Sequence, residues 1–325
     1  MRTYKPKTIF ITGIAGFIGY HLAKALVERG DTVIGCDNFN EYYPVFLKNE
    51  RVAILKKLGV EVIDHDIREL KSLKYLFEKH SFTHFINLAA QAGVRFSITH
   101  PHTYVQCNIN GFLEVLEMCR EFPSMKLIYA SSSSVYGLNE KTPFSEDDLT
   151  KKPASLYAAT KQSNELMAYV YSHVHGMHTT GLRFFTVYGP MGRPDMAYFS
   201  FTRAIDEGKP IHVFNHGKMK RDFTYIDDII DGCVKAIDFG AKCEIFNLGN
   251  NKAEDLSNLI EQIESNLSKK AIIELKPMQP GDVYKTFADI TKSQKMLGYA
   301  PKVSLEEGMK KFVSWYKEFS HELES

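Results

Sequence analysis

The stretch Thr8-Ile9-Phe10-Ile11-Thr12, followed at once by Gly13-Ile14-Ala15-Gly16-Phe17-Ile18-Gly19, decides the fold of this 325-residue chain. Its first five residues are an apolar, β-branched run typical of a buried strand. Apolar residues at helical spacing then continue from Leu22 until Gly30, which predicts a helix and its end. In a strand–turn–helix unit, three glycines permit the turn, backbone approach to a pyrophosphate and close packing of the helix on the strand. The spacing is GxxGxxG, and we predict a dinucleotide phosphate site rather than a simple tight turn.

Acidic residues follow the next two predicted strands. Residues 32–36 form an apolar run that ends at Asp37, and residues 61–63 lead to Asp66. A carboxylate at Asp37 can accept hydrogen bonds from both ribose hydroxyls of an adenosine and would repel a 2′-phosphate, which favours NAD over NADP. Asp66 is placed to meet the adenine edge.

Further strands alternate with helices along the first half of the chain. Strands are predicted at residues 84–88, 126–130 and 179–185, with long helices at 102–121 and 157–175. This alternation predicts a Rossmann-type, doubly wound parallel α/β sheet, in which ligands bind at the carboxyl ends of the strands.

The second half of the chain is predicted to be organised differently from the first. We predict an NAD-binding domain over residues 1–185 and a smaller C-terminal α/β substrate-binding region over 186–325, interleaved with late Rossmann elements. Its predicted elements are helices at 199–206, 227–239 and 255–267, strands near Ile211 and Glu244 and at 272–275 and 286–288, and two final helices.

Composition restricts the class of protein. Lys plus Arg number 40 and Asp plus Glu 39, so no nucleic-acid or membrane partner is expected. No apolar stretch is long enough to span a bilayer. The five cysteines are scattered and never spaced as CxxC, which predicts no metal site and favours a reducing, cytoplasmic location.

A candidate catalytic pair lies on the second long helix. Tyr157 and Lys161 are four residues apart and therefore share a helix face. A lysine ammonium favours the phenolate, and moving a tyrosine pKa from 10 to 7 takes roughly 4 kcal/mol. Lys161 and a cationic nicotinamide ring together are expected to supply it, and Ser132 at a strand end would share the proton. The same spacing also arises by chance in many helices, so its neighbours decide the interpretation.

These motifs together resemble the extended short-chain dehydrogenase/reductase family over nearly the whole chain. The superfamily motifs are residues 12–19, the serine run and Val-Tyr-Gly of residues 131–137, and the pair Tyr157–Lys161. Within that family, longer stretches resemble the UDP-glucuronate 4-epimerases; they are residues 37–43, 89–95, 183–190, 192–196 and 215–223.

The resemblance implies a reaction and a cofactor. Tyr157 would take the C4 hydroxyl proton while hydride passes from C4 to NAD⁺, Lys161 would tune the tyrosine and orient the nicotinamide ribose, and Ser132 would share the proton. The 4-keto sugar would then turn over and receive the hydride on its other face, giving UDP-galacturonate. The implied cofactor contacts are Gly13, Gly16, Phe17, Ile18, Gly19, Asp37, Asn38, Asp66, Ile67, Leu88, Ala89, Ala90, Gln91, Tyr157 and Lys161.

The resemblance also implies a site for the UDP-sugar. Hydroxyl and guanidinium donors would bind the sugar carboxylate, and Arg221 would bind the pyrophosphate. Gln279 stands where many relatives carry a second arginine, and Thr186 where many sugar epimerases carry Asn. The implied substrate contacts are Arg95, Ser132, Ser133, Ser134, Thr186, Arg193, Val213, Asn215, Arg221 and Asp282.

Other functions stay open at this point. A 4,6-dehydratase needs an acid–base pair where this chain has Ser133-Ser134, but a UDP-glucuronate decarboxylase or a UDP-N-acetylhexosamine 4-epimerase would share the motifs. A non-catalytic sensor of NAD or nucleotide sugars would have no need of Ser132, Tyr157 and Lys161. The family further implies a homodimer built from a four-helix bundle, with helices 102–121 and 157–175 as candidates.

Overall fold

The computed structural model describes residues 4–279, 281 and 283–323, so the predicted substrate contact Asp282 lies outside the described residues. The strands, numbered along the chain, are β1 (Thr8–Thr12), β2 (Thr32–Asp37), β3 (Glu61–Asp64), β4 (His84–Asn87), β5 (Lys126–Ser132), β6 (Thr179–Phe184), β7 (Thr186–Tyr188), β8 (Pro210–Val213), β9 (Lys220–Arg221), β10 (Phe223–Tyr225), β11 (Cys243–Leu248), β12 (Glu254–Asp255) and β13 (Ile272–Leu275). The α-helices are α1 (Phe17–Glu28), α2 (Val45–Lys57), α3 (Lys74–Lys79), α4 (Phe96–Thr99), α5 (Pro101–Tyr104), α6 (Gly111–Glu121), α7 (Leu156–His175), α8 (Ala197–Asp206), α9 (Ile226–Phe239), α10 (Leu256–Leu267), α11 (Thr291–Leu297) and α12 (Leu305–Leu323).

Within the described residues, seven strands form the central sheet in the order β3-β2-β1-β4-β5-β6-β11, and every neighbouring pair is parallel. Its central strands are buried on both faces, because helices cover the sheet on each side. The order 3-2-1-4-5-6 is that of a doubly wound dinucleotide-binding sheet. The predicted Rossmann-type α/β fold is therefore confirmed. The outermost strand, β11, comes from the chain beyond residue 185.

Helix α7 carries the candidate catalytic pair, and its ends are defined by its sequence. The Ser155 hydroxyl accepts a hydrogen bond from the Ala158 amide at 3.1 Å and caps the first turn. Gly176 ends the helix in the left-handed region, at φ +70°. The predicted helix 102–121 is interrupted by a π-helical segment, Val105–Asn110, which joins α5 to α6.

The C-terminal region adds short two-stranded sheets beside the carboxyl edge of the main sheet. They pair β10 with β7, β12 with β9 and β13 with β8. The prediction of a strand at residues 286–288 is wrong, because only an isolated bridge joins Ala288 to Phe144. Two backbone hydrogen bonds, Phe144 N to Phe287 O and Asp289 N to Phe144 O, hold this extended segment instead.

Candidate active site

The glycine turn after β1 has the geometry of a dinucleotide-binding loop. Gly13 has φ +69°, and a Cβ there would lie 2.7 Å from the Ala89 amide nitrogen. A Cβ on Gly19 would lie 2.1 Å from the Gly13 carbonyl oxygen, so helix α1 can approach the turn only through glycine. A Cβ on Gly16 meets only the Gly13 backbone within 4 Å, which leaves space for a pyrophosphate at the start of α1.

The Asp37 carboxylate is fixed at the end of β2. It accepts hydrogen bonds from the backbone amides of Ala15, at 3.2 Å, and Phe39, at 2.9 Å. The buried Lys48 ammonium lies 3.9 Å from it. Burial raises the pKa of Asp37, while Lys48 and the two amides act in the opposite direction. The carboxylate is thus oriented before any ribose binds.

The Asp66 carboxylate is hydrogen-bonded to neighbouring protein groups and does not line the cavity. Its two oxygens accept hydrogen bonds from Arg68 and from Asn38, at 2.8–2.9 Å. Burial acts to raise the pKa of Asp66, but the bonds from Arg68 and Asn38 outweigh it and hold that pKa at about 2. Its neighbours His65 and Ile67 line the cavity instead.

A cavity of about 860 Å³ opens along the carboxyl ends of the central strands. It brings together most of the residues predicted from the sequence: Gly13, Gly16, Phe17, Ile18, Gly19, Asp37, Asn38, Ile67, Leu88, Ala89, Ala90, Gln91, Arg95, Ser132, Ser133, Ser134, Tyr157, Lys161, Thr186, Arg193 and Arg221. The cavity wall does not include Asp66, Val213 or Asn215. Val213 points into the core from β8, and Asn215 forms its side-chain contact with the Lys218 carbonyl on the surface.

Ser132, Tyr157 and Lys161 line the same cavity. The Ser132 hydroxyl donates a hydrogen bond to the Ser134 hydroxyl at 3.0 Å and accepts one from the Ser134 amide at 3.1 Å. Burial raises the pKa of Tyr157, and Ser132 and the Arg193 charge act to lower it. The tuning of Tyr157 by Lys161 stays a prediction.

Lys161 is buried and tied to the neighbouring strand. Its ammonium donates a hydrogen bond to the Ala130 carbonyl oxygen at 2.9 Å. Burial lowers the pKa of Lys161 to about 8. The group therefore remains mostly protonated at neutral pH and can donate to a second acceptor in the cavity.

A buried ion pair, Glu165 with Arg183, stabilises the end of strand β5 that carries Ser132. Glu165, on α7, accepts hydrogen bonds from Arg183 Nε and Nη2, both at 2.8 Å, and from the Ser131 hydroxyl at 2.5 Å. Arg183 also donates to the Tyr136 hydroxyl at 2.9 Å. The network joins β5, β6 and α7 and so fixes the serine run against the helix that carries Tyr157.

Asn108 is a functional candidate that the sequence reasoning missed. Its side chain accepts from the Gln91 amide at 2.8 Å and donates to the Thr160 hydroxyl at 3.1 Å. Thr160 in turn donates to the Tyr157 carbonyl at 2.8 Å. The sequence carries no signal for Asn108, because the π-helical segment that holds it is visible only in the structure; such segments often mark functional sites.

Arg193 lines the part of the cavity that is predicted from the sequence to hold the sugar, which we call the sugar end, and its side chain is 22% exposed. It forms a bidentate pair with Asp195, through Nε at 3.0 Å and Nη2 at 2.5 Å. The Tyr42 hydroxyl donates to the same carboxylate at 3.1 Å. Burial and Asp195 raise the pKa of Tyr42 to about 12, so its hydroxyl stays protonated. Neither Tyr42 nor Asp195 was given a role from the sequence.

Two further arginines line the wall nearer the C-terminal region. Arg95 lies over the Phe214 ring, with Cζ 4.7 Å from the ring centre. Arg221 donates to the Lys220 carbonyl at 2.9 Å and to the Tyr284 carbonyl at 3.3 Å. Both cations line the same cavity as Arg193.

The described residues hold no cluster of three His, Cys, Asp or Glu side chains suited to a metal ion. In the same part of the chain, no helix is both long and apolar enough to cross a membrane.

Comparison with known proteins places this architecture in a family. Residues 10–312 match the family model described as GDP-mannose 4,6 dehydratase. UDP-glucuronate 4-epimerase 2 of Arabidopsis thaliana is 48% identical over 97% of this chain and 77% of its own length.

Solved structures give the same result. A UDP-glucuronic acid 4-epimerase from Bacillus cereus, solved with UDP-glucuronic acid and NAD, superposes with a TM-score of 0.90 at 35% identity, over 96% of this chain and 99% of that one. A UDP-glucose 4-epimerase from Thermotoga maritima, solved with UDP-glucose, has a TM-score of 0.88 at 30% identity over the same shares. The chain therefore belongs to the GDP-mannose 4,6-dehydratase family of extended short-chain dehydrogenases/reductases.

Proposed function

We propose that this protein is an NAD-dependent isomerase that converts UDP-glucuronate into UDP-galacturonate. The observation that carries the proposal is that Ser132, Tyr157, Lys161 and Arg193 all line one cavity. An acid–base tyrosine beside a cation suits a sugar that carries a carboxylate next to the carbon that reacts. Relatives near 48% identity carry the same activity in their names.

The cofactor end of the cavity fits NAD. The open space at Gly16 suits a pyrophosphate, and the pre-oriented Asp37 carboxylate suits the adenosine ribose. When bound, NAD⁺ supplies a hydride acceptor for C4 of the sugar and later returns the hydride to the same carbon.

The acid–base work is assigned to this chain's own side chains. Tyr157 takes the C4 hydroxyl proton and gives it back, and Ser132, which acts to lower the pKa of Tyr157, shares that proton. Lys161, held on the Ala130 carbonyl, orients the nicotinamide ribose. Because burial alone raises the pKa of Tyr157, positive charge from its surroundings is needed to form the phenolate.

The substrate is held at both ends. Ser133, Ser134 and Thr186 present hydroxyls to the sugar carboxylate, and Arg193 supplies a charge-assisted contact. Arg95 and Arg221 bind the diphosphate and so meet the charge that an arginine at position 279 would otherwise meet.

The chain is further proposed to act as a homodimer in a reducing compartment. The exposed face of α7 carries an apolar stripe whose members are Leu166 (68% exposed), Tyr169 (62%), Val170 (52%) and Val174 (63%). Two such faces would bury each other in a four-helix bundle with α6. Leu166→Lys combined with Val170→Lys should give a monomer by light scattering. The reducing compartment is proposed from the scattered spacing of the five cysteines, which are free in the structure.

An NMR time course tests the proposed reaction. Purified protein is incubated with UDP-glucuronate, with NAD⁺ either added or omitted. Appearance of UDP-galacturonate without net reduction of NAD⁺ is the expected result. A UDP-pentose with released CO₂ would indicate decarboxylation, and an inert substrate would direct the search to UDP-N-acetylhexosamines.

A further inference from the structure

The guanidinium of Arg193 is held in one orientation by its neighbours. The contact to Asp195 uses Nε and Nη2, which form one edge of the planar group. The Tyr42 ring lies beneath it, with Arg193 Cζ 5.7 Å from the ring centre, and the Tyr42 hydroxyl donates to Asp195. A guanidinium has five N–H donors, and those of Nη1 take no part in the Asp195 contact.

The backbone that leads to Arg193 is fixed as well. The buried side chain of Arg51 donates to the carbonyls of Met191, at 2.7 Å, and Gly192, at 3.2 Å. Another nitrogen of Arg51 donates to the Ala15 carbonyl in the glycine turn and to the Tyr43 hydroxyl, both at 2.8 Å. The loop before Arg193 is thereby tied to the cofactor-binding turn.

Arg193 and Tyr157 line the same cavity. The Arg193 charge acts to lower the pKa of Tyr157 against the effect of burial. The carboxylate carbon C6 of a uronic acid is two bonds from C4. An arginine near the C4 base is therefore also near the carboxylate.

We propose that Asp195, anchored by Tyr42, is a positioning residue that aims the free edge of Arg193 at the substrate carboxylate and so keeps the 4-keto intermediate from losing CO₂. This inference rests on the proposed 4-epimerase function. Asp195 would touch no reacting atom; it acts through Arg193.

The chemistry makes orientation decisive. The 4-keto intermediate is a β-keto acid. Its C5–C6 bond breaks when that bond aligns with the π system of the C4 carbonyl, and the electron pair then forms an enolate as CO₂ leaves. A proton from solvent at C5 completes the conversion to a 4-keto pentose. A carboxylate held by a fixed guanidinium keeps the C5–C6 bond out of that alignment.

Product analysis of Asp195→Asn tests the proposal. The NAD-loaded variant is incubated with UDP-glucuronate, and UDP-galacturonate, UDP-pentose products and CO₂ are quantified. We expect the decarboxylated fraction to rise roughly tenfold or more, and Tyr42→Phe to raise it by less. An unchanged product ratio in Asp195→Asn would overturn the proposal.

Glu41→Gln is the matched control. It removes a carboxylate from the same loop as Tyr42, but Glu41 is exposed to solvent. Its products should match those of the unmodified chain. A rise equal to that of Asp195→Asn would mean that loss of negative charge, not of positioning, is responsible.

A binding measurement supplies a readout independent of turnover. In a Tyr157→Phe background, calorimetry compares the affinities for UDP-glucuronate and UDP-glucose with and without Asp195→Asn. If Asp195 positions Arg193, the preference for UDP-glucuronate should fall several-fold in Asp195→Asn, because the Arg193 guanidinium is no longer held in one orientation. A stronger preference would show that Asp195 only competes with the substrate carboxylate, which contradicts the proposal.

A failure of the proposed function can be distinguished from a failure of the role assigned to Asp195. If the unmodified chain makes no UDP-galacturonate, the proposed function is wrong. If it does, and Asp195→Asn retains both the product ratio and the binding preference, only the role of Asp195 is wrong.

Discussion

At the cofactor end the cavity is shaped by close approaches of the backbone, whereas at the sugar end Arg193 is held by other side chains. Gly13 and Gly19 shape the first end through close backbone approach, and Asp37 is fixed there by two amides. Arg193 at the second end depends on Asp195 and Tyr42. Backbone geometry suits a cofactor shared by many enzymes, and side-chain networks suit a specificity that differs among them.

Loss of the Tyr157 hydroxyl should have the largest effect, because both ends of the cavity converge on it. Tyr157→Phe removes the acid–base group but keeps the ring, which packs edge-to-face on Tyr104. We expect the rate with UDP-glucuronate to fall by about 10²–10⁴-fold. Calorimetry should find NAD and UDP-glucuronate binding near normal. Near-normal turnover would remove Tyr157 from the catalytic role.

Loss of the buried ion pair should destabilise the whole fold. Glu165→Ala leaves Arg183 buried without its charge partner, and we expect the free energy of unfolding to fall by about 3–5 kcal/mol. Glu28→Ala, which breaks an exposed pair with Lys24 on α1, should change it by less than about 1 kcal/mol. Urea denaturation measures both. Equal small losses would mean that the network adds nothing to stability.

A methyl group on Gly19 should damage the cofactor end alone. Gly19→Ala places a Cβ against the Gly13 carbonyl, and a backbone displaced at a cost of about 1–3 kcal/mol should weaken NAD binding roughly 5–150-fold. Gly30→Ala, at the far end of α1, meets no atom within 4 Å. Its positive φ should lower stability slightly but leave NAD affinity unchanged. Tight NAD binding by Gly19→Ala would contradict the importance of close backbone approach.

Removal of Arg193 should affect the sugar end alone. Arg193→Ala should weaken UDP-glucuronate binding by about 1.5–3 kcal/mol, the scale of a charged hydrogen bond, and leave UDP-glucose binding nearly unchanged. Arg203→Ala, an exposed arginine on α8, is the control and should alter neither. Equal losses for both sugars in Arg193→Ala would show that Arg193 is not the carboxylate contact.

The cofactor end was also the end that the sequence predicted better. Strand ends and glycine spacing locate Gly13, Gly16, Gly19 and Asp37 because a parallel sheet brings the carboxyl ends of its strands to one edge. The contact between Lys48 and the Asp37 carboxylate was not predicted, because nothing in the position of Lys48 on α2 indicates it.

At the sugar end, the sequence predicted residues but not their arrangement. Arg193 and Asp195 stand two apart in a loop, and only the tertiary position of Tyr42 turns them into a fixed pair. Val213 is the last residue of the short strand β8, where alternation directs it into the core, and Asn215 lies in the turn that follows. Loop residues have no periodicity from which their direction can be read.

The most direct test of the account is the fate of a label at C4. UDP-glucuronate carrying deuterium at C4 is converted by the NAD-loaded enzyme, and the UDP-galacturonate product is examined by NMR and mass spectrometry. The account predicts that deuterium stays at C4, because the hydride is removed and returned within one closed cavity. Loss of the label to solvent, or its replacement by hydrogen from free NADH, would contradict transient oxidation and return at C4.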